Sequence, residues 1–330
     1  MSGFNQDSVG VITPVDSIAT GVWSEKTKQS FIATDIVPRN PFLELNEGKI
    51  FVADNKRDVI NDKPTHALQA APQVNYSESS VDYRREKYRR SFNINPTNFR
   101  KDLPVALGKL KQQQAGARVI GRNLRVLFES IVASKVFNTS NFNNTAASVA
   151  WATIATAVPV SDMNTAGNLI KKARSVKPNI VIMGATAYSN FISNANVKAS
   201  IKNTEDALVK RNRVLDLMRT DSLENLEYLY VADASYNTAN VGQAESRSFI
   251  WTPTMVFIGY VEQSPNSEEM NTAFALSSEL YTDSMGSNSP IKMRTYRNEE
   301  HEEGTEVLEG LINFDLPIVD GSYGQLITVT

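Results

Sequence analysis

The segment 151–202 constrains the fold of this 330-residue chain more than any other part, because it contains the pieces of a compact α/β unit in order. Its centre is the all-apolar run Ile180–Met183, which ends at Gly184 and is typical of a short strand covered on both faces. Pro178 stands just before this run, and the residue that precedes a proline is disfavoured in the helical region, so a helix must end there. The segment therefore predicts a helix, a turn, a buried strand and a second helix.

The two helices of this unit are predicted from the spacing of apolar residues and from a capping signal. Ser161 and Asp162 are residue types that commonly cap the N-terminus of a helix. Apolar residues then recur three and four positions apart, at Met163, Ala166, Ile170 and Ala173. Helical spacing returns after the strand at Tyr188, Phe191 and Ile192, and we expect this second helix to run into residues 194–197.

Composition excludes several classes of protein. The chain has no cysteine, which rules out disulfides, thiolate metal sites and a cysteine nucleophile. No basic segment followed by an apolar run stands at its start, and no stretch approaches the roughly 18 apolar residues of a membrane span, so we expect a protein kept in the cytosol and away from membranes. Residues 1–140 carry 20 Lys and Arg against 14 Asp and Glu, whereas the remainder carries 14 against 22. This split indicates that different faces meet different surroundings.

The first third of the chain is predicted to form an arm and a projecting loop. Residues 1–35 contain isolated apolar residues without a sustained period, and Trp23 and Phe31 are costly to leave in water, which indicates an arm that packs on another surface. Strands are then predicted at Lys49–Ala53, Val74–Ser77 and Val81–Tyr83. The polar connection 54–65 is too long for a tight hairpin, so it forms either a lid over an enzyme site or a loop across a neighbouring subunit.

The longest helix signal runs from Asp102 to about Asn138, with Pro104 in its first turn. A near-continuous apolar stripe supports it, formed by Leu103, Ala106, Leu107, Leu110, Ala117, Ile120, Leu124, Leu127, Ile131 and Val132. At 1.5 Å per residue the helix would be about 50 Å long, and Gly116 or Gly121 would allow a bend. Few small enzymes need a helix of that length.

Beyond Lys202 the pattern predicts one more helix and then mainly strands. We expect Thr204 to cap the helix, which carries Leu208, Leu215 and Met218. The predicted strands are Tyr228–Ala232, Phe249–Trp251, Met255–Val261, Thr272–Leu280, Lys292–Tyr296, Val307–Phe314 and Leu326–Val329. Helices and strands together indicate a mixed α+β chain.

Motifs for catalysis and cofactor binding are missing from the sequence. His66 and His301 are the only histidines, and no Gly-x-Ser-x-Gly turn accompanies them. Asp320–Gly324 comes nearest, but Ser322 stands one place out of register. No glycine-rich phosphate-binding motif occurs, and the acidic segment Glu299–Glu303 around His301 is interpreted as a solvated turn in preference to a site for a divalent ion. We therefore expect no enzyme activity, no cofactor and no metal site.

The strongest charge signal lies between Arg84 and Arg125, where the sequence has twelve Lys and Arg against two acidic residues. Arg118, Arg122 and Arg125 are spaced four and three positions apart, so they share a face of the predicted long helix. A surface of this kind attracts nucleic-acid phosphates without reading their sequence, and these three residues are our candidates for contact with DNA. The alternative is ordinary solvation of the helix, with ion pairs to acidic residues of the C-terminal half.

The order of these predicted parts resembles the HK97-fold major capsid protein of tailed bacteriophages over nearly the whole chain. The unit around Pro178–Gly184 resembles the axial domain, Leu103–Asn138 the spine helix of the peripheral domain, and Phe42–Ser91 the extended β E-loop. Met293–Glu300 is similar to the strand that returns to the peripheral domain. The resemblance implies an N-terminal arm at 1–38, the E-loop and flanking strands at 39–92, a peripheral domain with spine helix at 93–148, an axial domain at 149–285 and a return β segment of the peripheral domain at 286–330.

For function, the resemblance implies a major capsid protein that self-assembles into an icosahedral or prolate shell around double-stranded DNA. Its expected partners are identical subunits in hexamers and pentamers, non-specifically bound packaged DNA, a portal, a separate scaffolding protein and a decoration or cement protein. The expected location is the virion capsid, assembled in the host bacterial cytoplasm. The alternatives are an encapsulin-like nanocompartment shell and a soluble α/β enzyme with a β-loop lid.

Arms and E-loops overlap neighbouring subunits in the family that the chain resembles. Side chains of these parts are therefore our candidates for contacts between subunits: Trp23, Phe31, Lys49, Phe51, Lys56 and Lys63. Some members of the family join a Lys to an Asn by an isopeptide bond, and three of these candidates are lysines of the predicted loop. The sequence assigns such a bond to none of them.

Overall fold

The computed structural model describes residue 22 and residues 31–41, 43–53, 78–94, 105–202, 211–240, 242–263, 270–282, 288–298 and 305–330. Within these ranges the chain folds into two compact units. The first takes in Phe31, Arg85–Ile131 and Ser277–Asp315, and the second takes in Ile32–Arg84, Val132–Leu276 and Leu316–Thr330. Each unit is therefore built from stretches that lie far apart in the sequence.

The helices are α1 (Ala33–Ile36), α2 (Val105–Val136), α3 (Pro159–Arg174), α4 (Ala185–Ser193), α5 (Ala195–Lys202) and α6 (Arg211–Met218). The strands are β1 (Glu47–Ala53), β2 (Glu78–Arg84), β3 (Glu86–Ile94), β4 (Asn143–Ala146), β5 (Ile180–Gly184), β6 (Tyr228–Ala232), β7 (Ser235–Asn237), β8 (Arg247–Phe249), β9 (Met255–Gly259), β10 (Ser277–Ser278), β11 (Tyr281–Thr282), β12 (Asn288–Ser289), β13 (Ile291–Asn298), β14 (Thr305–Asp315) and β15 (Gly324–Thr328). Short 3-10 turns occur at Asp221–Leu223 and Gly321–Tyr323.

The first unit is an antiparallel sheet packed against one long helix. Strand β14 pairs with β3, β13 and β10. Side chains alternate along β14. Leu308 and Phe314 face α2, where the Phe314 ring meets the Phe128 ring edge to face at 4.9 Å. Glu309 and Asn313, at the intervening positions, therefore project from the opposite face of the sheet.

Two glycines let the helix and the sheet of this unit approach closely. A Cβ atom at Gly116 of α2 would lie 2.6 Å from the Phe92 ring, and one at Gly310 of β14 would lie 2.4 Å from Ile120. Both distances are shorter than side chains tolerate, and a close-packed interior has no spare volume to absorb the difference. A larger residue at either position would therefore push the helix and the sheet apart.

The predicted long helix is confirmed as α2, whose 32 residues span about 48 Å. It runs unbroken through Gly116 and Gly121, where the sequence allowed a bend. Of the predicted stripe, Ala117, Ile120, Leu124 and Val132 are buried, whereas Leu110, Leu127 and Ile131 are half-buried. Phe128, which the stripe did not include, is buried as well. The predicted start at Asp102 lies outside the described residues. At the other end the helix stops at Val136, because Asn138 begins a turn in which its carbonyl accepts from the amides of residues 141 and 142.

The second unit contains a five-stranded mixed sheet in the order β4-β15-β9-β5-β6. Strand β5 is parallel to β6 and antiparallel to β9, and all five of its residues are buried. The strand predicted from Ile180–Met183 is therefore confirmed, together with its cover on both faces. One face packs against a core that includes Trp151, Met163, Ile170 and Phe191.

The predicted capping of the first helix in this unit is wrong in its details. Helix α3 begins at Pro159, ahead of both predicted cap residues, because the fixed φ of proline suits the first turn and its missing N–H costs nothing there. The Asp162 carboxylate instead accepts from the indole Nε1 of buried Trp151 at 2.9 Å and from the Ser148 amide at 3.2 Å. The Ser161 carbonyl accepts from the Thr165 hydroxyl, and its side chain makes no cap.

The second predicted helix is divided in two by Asn194. Helix α4 ends at Ser193, and the Asn194 side-chain oxygen then accepts from the amides of Asn196 and Val197 at 2.9 and 3.2 Å. This is the geometry of an N-cap, so α5 starts at the next residue. Asn194 is fully buried, and its Nδ2 donates to the Ala157 carbonyl at 3.0 Å.

Several predicted strands differ from those observed. Tyr228–Ala232 is confirmed as β6, but β8 ends at Phe249 and Trp251 lies in a bend. Trp251 is buried by packing edge to face on Phe137 at 5.0 Å, a contact that apolar spacing does not reveal. The predicted strand Thr272–Leu280 shrinks to the two residues of β10 and isolated bridges. Thr204 and Leu208 lie outside the described residues.

Strands β1 and β2 form an antiparallel pair of seven rungs at the base of the predicted projecting loop. Ile50, Val52 and Tyr83 are buried against a small core of the second unit that contains Met270 and Val319. The opposite face of the pair is exposed and carries Lys49, Phe51 and Asp82. The connection 54–77, with the predicted strand at 74–77, lies outside the described residues.

Candidate assembly and nucleic-acid surfaces

The three arginines predicted to share a DNA-facing surface of the long helix do not share one environment. Arg118 and Arg122 are exposed on neighbouring turns of α2. Arg125 is only 5% exposed, its Nη1 donates to the Val22 carbonyl at 3.2 Å, and its guanidinium lies 4.9 Å from the centre of the Phe31 ring. Position 125 lies one turn from Phe128 on the packed side of the helix, which explains its burial. We therefore correct the predicted set to Arg118 and Arg122.

Phe31 was a candidate for contact with a neighbouring subunit. Its side chain is 6% exposed, and one face of its ring is covered by Arg125 of the same unit. Burial of an aromatic ring beneath a guanidinium anchors this part of the chain. Phe31 therefore contributes an internal contact, and we leave it out of the surfaces proposed below. Trp23, Lys56 and Lys63 lie outside the described residues.

The other two described candidates lie together on the exposed face of β1. Phe51 is 39% exposed, and the Lys49 ammonium lies 3.9 Å from the Asp82 carboxylate on the facing strand. Both partners of this ion pair are largely exposed, so the pair contributes little to stability. Since the alternate residues Ile50 and Val52 point into the core, the hairpin presents an apolar ring and an adjacent cation to its surroundings.

A charged surface that the sequence prediction located only in part, through the basic segment 84–125, lies on the sheet of the first unit, on the face directed away from α2. It is formed by Lys87, Arg89, Lys292 and Arg294, and we call it the cationic sheet face. At its centre the Glu309 side chain, 8% exposed, is bound by Arg294 at 2.9 Å and approached by Arg89 at 3.7 Å. Alternating basic residues in β3 and β13 were the signal that could have identified it, once the two strands were known to flank β14.

Next to this face a second polar cluster joins Glu279, Tyr281 and Asn313. The Asn313 Nδ2 and the Tyr281 hydroxyl both donate to the Glu279 carboxylate at 2.8 Å. The hydrogen bond from Asn313 is the main reason that the pKa of Glu279 falls below its usual value. Burial, reinforced by the hydrogen bond to Glu279, raises the pKa of the Tyr281 phenol. The cluster thus favours an ionised carboxylate and a protonated phenol.

The sequence segment nearest to a serine-hydrolase turn proves to be part of a structural network. The Ser322 hydroxyl donates to Asp320 at 2.7 Å, and Arg174 binds both residues. The Arg174 guanidinium also lies 5.1 Å from the centre of the Tyr323 ring. These polar side chains are hydrogen-bonded to one another, and the network joins the end of α3 to the turn before β15.

Clefts in the described part of the second unit do not collect a catalytic constellation. One open cleft of about 870 Å³ is lined mainly by polar residues, and its Lys177 and Glu224 are paired with each other. Asn179, which also lines it, makes two hydrogen bonds with the Val261 backbone, at 2.8 and 2.9 Å. The described ranges contain no group of three or more His, Cys, Asp or Glu that could hold a metal ion. The acidic segment Glu299–Glu303 lies outside them.

None of the helices in the described ranges combines the length and apolar character needed to cross a membrane.

Comparison with known proteins identifies a family match and a shared fold. Residues 133–253 match the family model described as phage major capsid protein E. No curated protein matches the chain in sequence. A phage-related protein from Bordetella bronchiseptica RB50 is similar in structure, with 15% identity, a TM-score of 0.66 and 96% of each chain covered.

Two further solved structures are similar over almost their whole length. The virus-like particle from Pyrococcus furiosus has 9% identity and a TM-score of 0.53, with 97% of this chain and 100% of that chain covered. The capsid of Myoviridae phage XM1 has 9% identity and a TM-score of 0.51, with 93% and 94% covered. At such identities the likeness establishes the fold, and the predicted mixed α+β, HK97-like fold is confirmed.

Proposed function

We infer that this chain is a phage major capsid protein, which assembles with identical copies of itself into the closed shell that encloses the double-stranded DNA of a tailed phage. The combination that carries the inference is an HK97-like fold over 93% of the chain with a match of residues 133–253 to the family model described as phage major capsid protein E. A role of this kind is structural, and we propose that the chain has no catalytic activity and needs no cofactor.

The parts of the chain receive separate roles in this proposal. Residues 1–38 act as an arm, 39–92 as an E-loop with its flanking strands, 93–148 and 286–330 as a peripheral domain, and 149–285 as an axial domain. The axial domains meet within hexamers and pentamers, and the peripheral domains meet between them. The exposed Lys49 and Phe51 at the loop base contact a neighbouring copy, as do Trp23, Lys56 and Lys63.

The proposed DNA-facing surface is the exposed side of α2 that carries Arg118 and Arg122. Both arginines are exposed and lie one turn apart, which suits non-specific contact with phosphates. The shell is icosahedral or prolate, forms in the bacterial cytoplasm and becomes the virion capsid. A portal, a separate scaffolding protein and a decoration or cement protein complete its set of partners.

Two rival functions make different demands on the chain. An encapsulin-like compartment would share the fold but enclose a protein cargo, and the family match over 133–253 favours a phage shell instead. A soluble enzyme with a loop lid would need an acid, a base or a metal in a cleft. In the cleft that Lys177 and Glu224 line, these two charges pair with each other, and the described ranges hold no cluster of three or more His, Cys, Asp or Glu for a metal.

Electron microscopy of the purified recombinant chain, alone and with the products of neighbouring genes, tests the proposal. We expect uniform hollow shells that retain DNA when packaging proteins are present. A stable monomer with measurable turnover would overturn the proposal, and shells that enclose a specific protein in place of DNA would support the encapsulin-like alternative.

A further inference from the structure

The register of the first sheet places four cations on one surface. Arg89 and Lys292 both stand opposite Leu311 of β14. Arg294 stands opposite Glu309, and Lys87 stands opposite Asn313. Directly paired residues of antiparallel strands project from the same face, so these side chains share the cationic sheet face defined above.

The acidic residues on this face do not balance its cations. Glu309 is nearly buried, while Arg89 and Arg294 remain 56% and 50% exposed beyond it. Glu279 and Asp315 lie at the far end of the face, near Lys87 and Arg85. Even with these residues included, five cations stand against three carboxylates among the described residues of this face. The surface is therefore suited to an anionic partner.

Two of the cations are held in place before any partner arrives. The Arg294 guanidinium lies 5.5 Å from the centre of the Tyr296 ring while it binds Glu309, and the Lys292 ammonium lies 5.4 Å from the Tyr281 ring. Cation–π contacts and ion pairs of this kind limit side-chain motion, which lowers the entropy lost on binding. The face is thus partly preorganised for an anion.

The chain itself supplies an anionic segment in every copy. Residues Glu299–Glu303 contain four glutamates within five positions and connect β13 to β14. The last rung of these strands is Asn298 with Thr305, six positions from the Leu311 rung and eight from Asn313. At about 3.4 Å per residue those rungs lie roughly 20 and 27 Å from the loop base, and the Glu309 rung that carries Arg294 lies about 14 Å away, whereas the backbone of a six-residue connection reaches only about 10 Å. The backbone of the segment in the same copy therefore stops well short of Lys87, Arg89 and Lys292, and only Arg294 lies near its reach.

We propose that the cationic sheet face binds the acidic segment Glu299–Glu303 of a second copy of this chain. This inference rests on the proposed function, since it assigns one of the contacts between subunits of the shell. The two surfaces differ, so the contact is head-to-tail, and it closes when the copies are arranged around a symmetry axis. Charge complementarity of this kind fixes register and speeds association, and it weakens as salt rises.

A peptide-binding experiment tests the inference without requiring a shell. A fluorescent peptide of residues 298–305 is titrated with the full chain in its unassembled state, and anisotropy is recorded. We expect binding that weakens at least tenfold when Lys87 and Lys292 are both changed to Glu, and equally when the four glutamates of the peptide are replaced by Gln. Equal binding in all three cases would overturn the proposal. Lys87 and Lys292 are chosen because Arg89 and Arg294 also hold the buried Glu309.

Assembly supplies the second measurement. In the full chain, Lys87→Glu with Lys292→Glu, or Glu300→Lys with Glu302→Lys, should each reduce shell yield at least tenfold while the urea midpoint of the monomer is unchanged. Mixing the two variants, or combining all four changes in one chain, should restore assembly. Failure of both rescues would contradict the pairing. So would charge-reversed variants that form intact shells and differ from the parent only by retaining less DNA. If the parent chain forms no shells, the proposed function fails, and the peptide experiment still decides this inference.

Discussion

One Nη2 atom of Arg294 lies 2.9 and 3.1 Å from the two carboxylate oxygens of Glu309, across the rung that pairs their strands. Arg89 approaches the same carboxylate from the strand on the other side. One nearly buried acid therefore stabilises two cations and joins three strands of the first unit. Because the arginines stay half exposed, water solvates their charges. This solvation limits how much free energy of unfolding is lost when the Glu309 carboxylate is removed.

Replacing Glu309 by Gln should destabilise the chain by about 1–3 kcal/mol, since it leaves two cations side by side without their counter-ion. The free energy of unfolding from urea titration measures the effect. Glu306→Gln is the matched control, because Glu306 is more exposed and its pair with Lys109 should contribute only about 0–1 kcal/mol. Equal losses for the two variants would argue against a special role for Glu309.

The hydrogen bond between Asp162 and Trp151 leads to a second prediction. Asp162→Ala removes the only acceptor found for the buried indole N–H in the described residues, which should cost about 1–3 kcal/mol. Ser161→Ala changes a neighbour whose side chain makes no cap and should stay within about 0.5 kcal/mol. Tryptophan fluorescence during urea unfolding reports both variants. A large loss for Ser161→Ala would restore the capping interpretation drawn from the sequence.

Arg125 should behave as an internal residue. Arg125→Leu loses the hydrogen bond to the Val22 carbonyl and the contact with the Phe31 ring, and we expect a loss of about 1–3 kcal/mol. Arg118→Ala, on the exposed side of the same helix, should remain within about 0.5 kcal/mol. Thermal unfolding of both variants provides the measurement. Indistinguishable melting temperatures would mean that Arg125 does not anchor this region in solution.

Alkaline pH should expose the role of Tyr88. Burial, together with a hydrogen bond to Glu86, raises the pKa of the Tyr88 phenol from 10.0 to about 12. Because the pKa is raised in the folded chain, the protonated phenol adds to the free energy of unfolding. This addition is present in full below pH 10 and is lost between pH 10 and about 12. The difference in unfolding free energy between parent and Tyr88→Phe should therefore shrink across that interval. A constant difference would show that the phenol titrates normally.

The proposed DNA-facing surface makes a prediction about salt. Arg118→Gln combined with Arg122→Gln should leave shell yield near that of the parent but lower DNA retention and flatten its dependence on salt, because fewer phosphates are neutralised per subunit. Lys171→Gln with Lys172→Gln is the control, since it removes the same charge from exposed positions of α3. Filter-binding or nuclease protection at several salt concentrations gives the slope. An unchanged slope for the arginine variant would place the DNA elsewhere.

The spacing of apolar residues within one segment was sufficient to predict the elements that depend on that segment alone. Four successive apolar residues defined β5, and a stripe repeating every three or four residues defined α2 to within two residues at its described end. Both features depend mainly on how one element buries its own side chains. The order of elements then sufficed to predict the HK97-like fold.

Prediction failed where a distant residue decides the outcome. Asp162 was expected to cap a helix but accepts from Trp151, eleven positions earlier, and Trp251 is buried by Phe137 instead of by strand pairing. Arg125 has helical spacing with Arg118 and Arg122, yet Phe31 and Val22 enclose it. The basic segment 84–125 was recognised, but its Lys87 and Arg89 could not be joined with Lys292 and Arg294 because β3 and β13 meet only through β14. The periodicity of one segment does not reveal which remote segment it pairs with.

The position of the last strands has a consequence for the timing of assembly. Strand β14 joins β3 to β13 in one sheet, and β15 lies between β4 and β9 in the other. A chain still being synthesised lacks both strands until residues 305–328 leave the ribosome, so neither sheet can close before then. If copies assemble as proposed, each must therefore complete residues 305–328 before it can present both finished sheets to a neighbour.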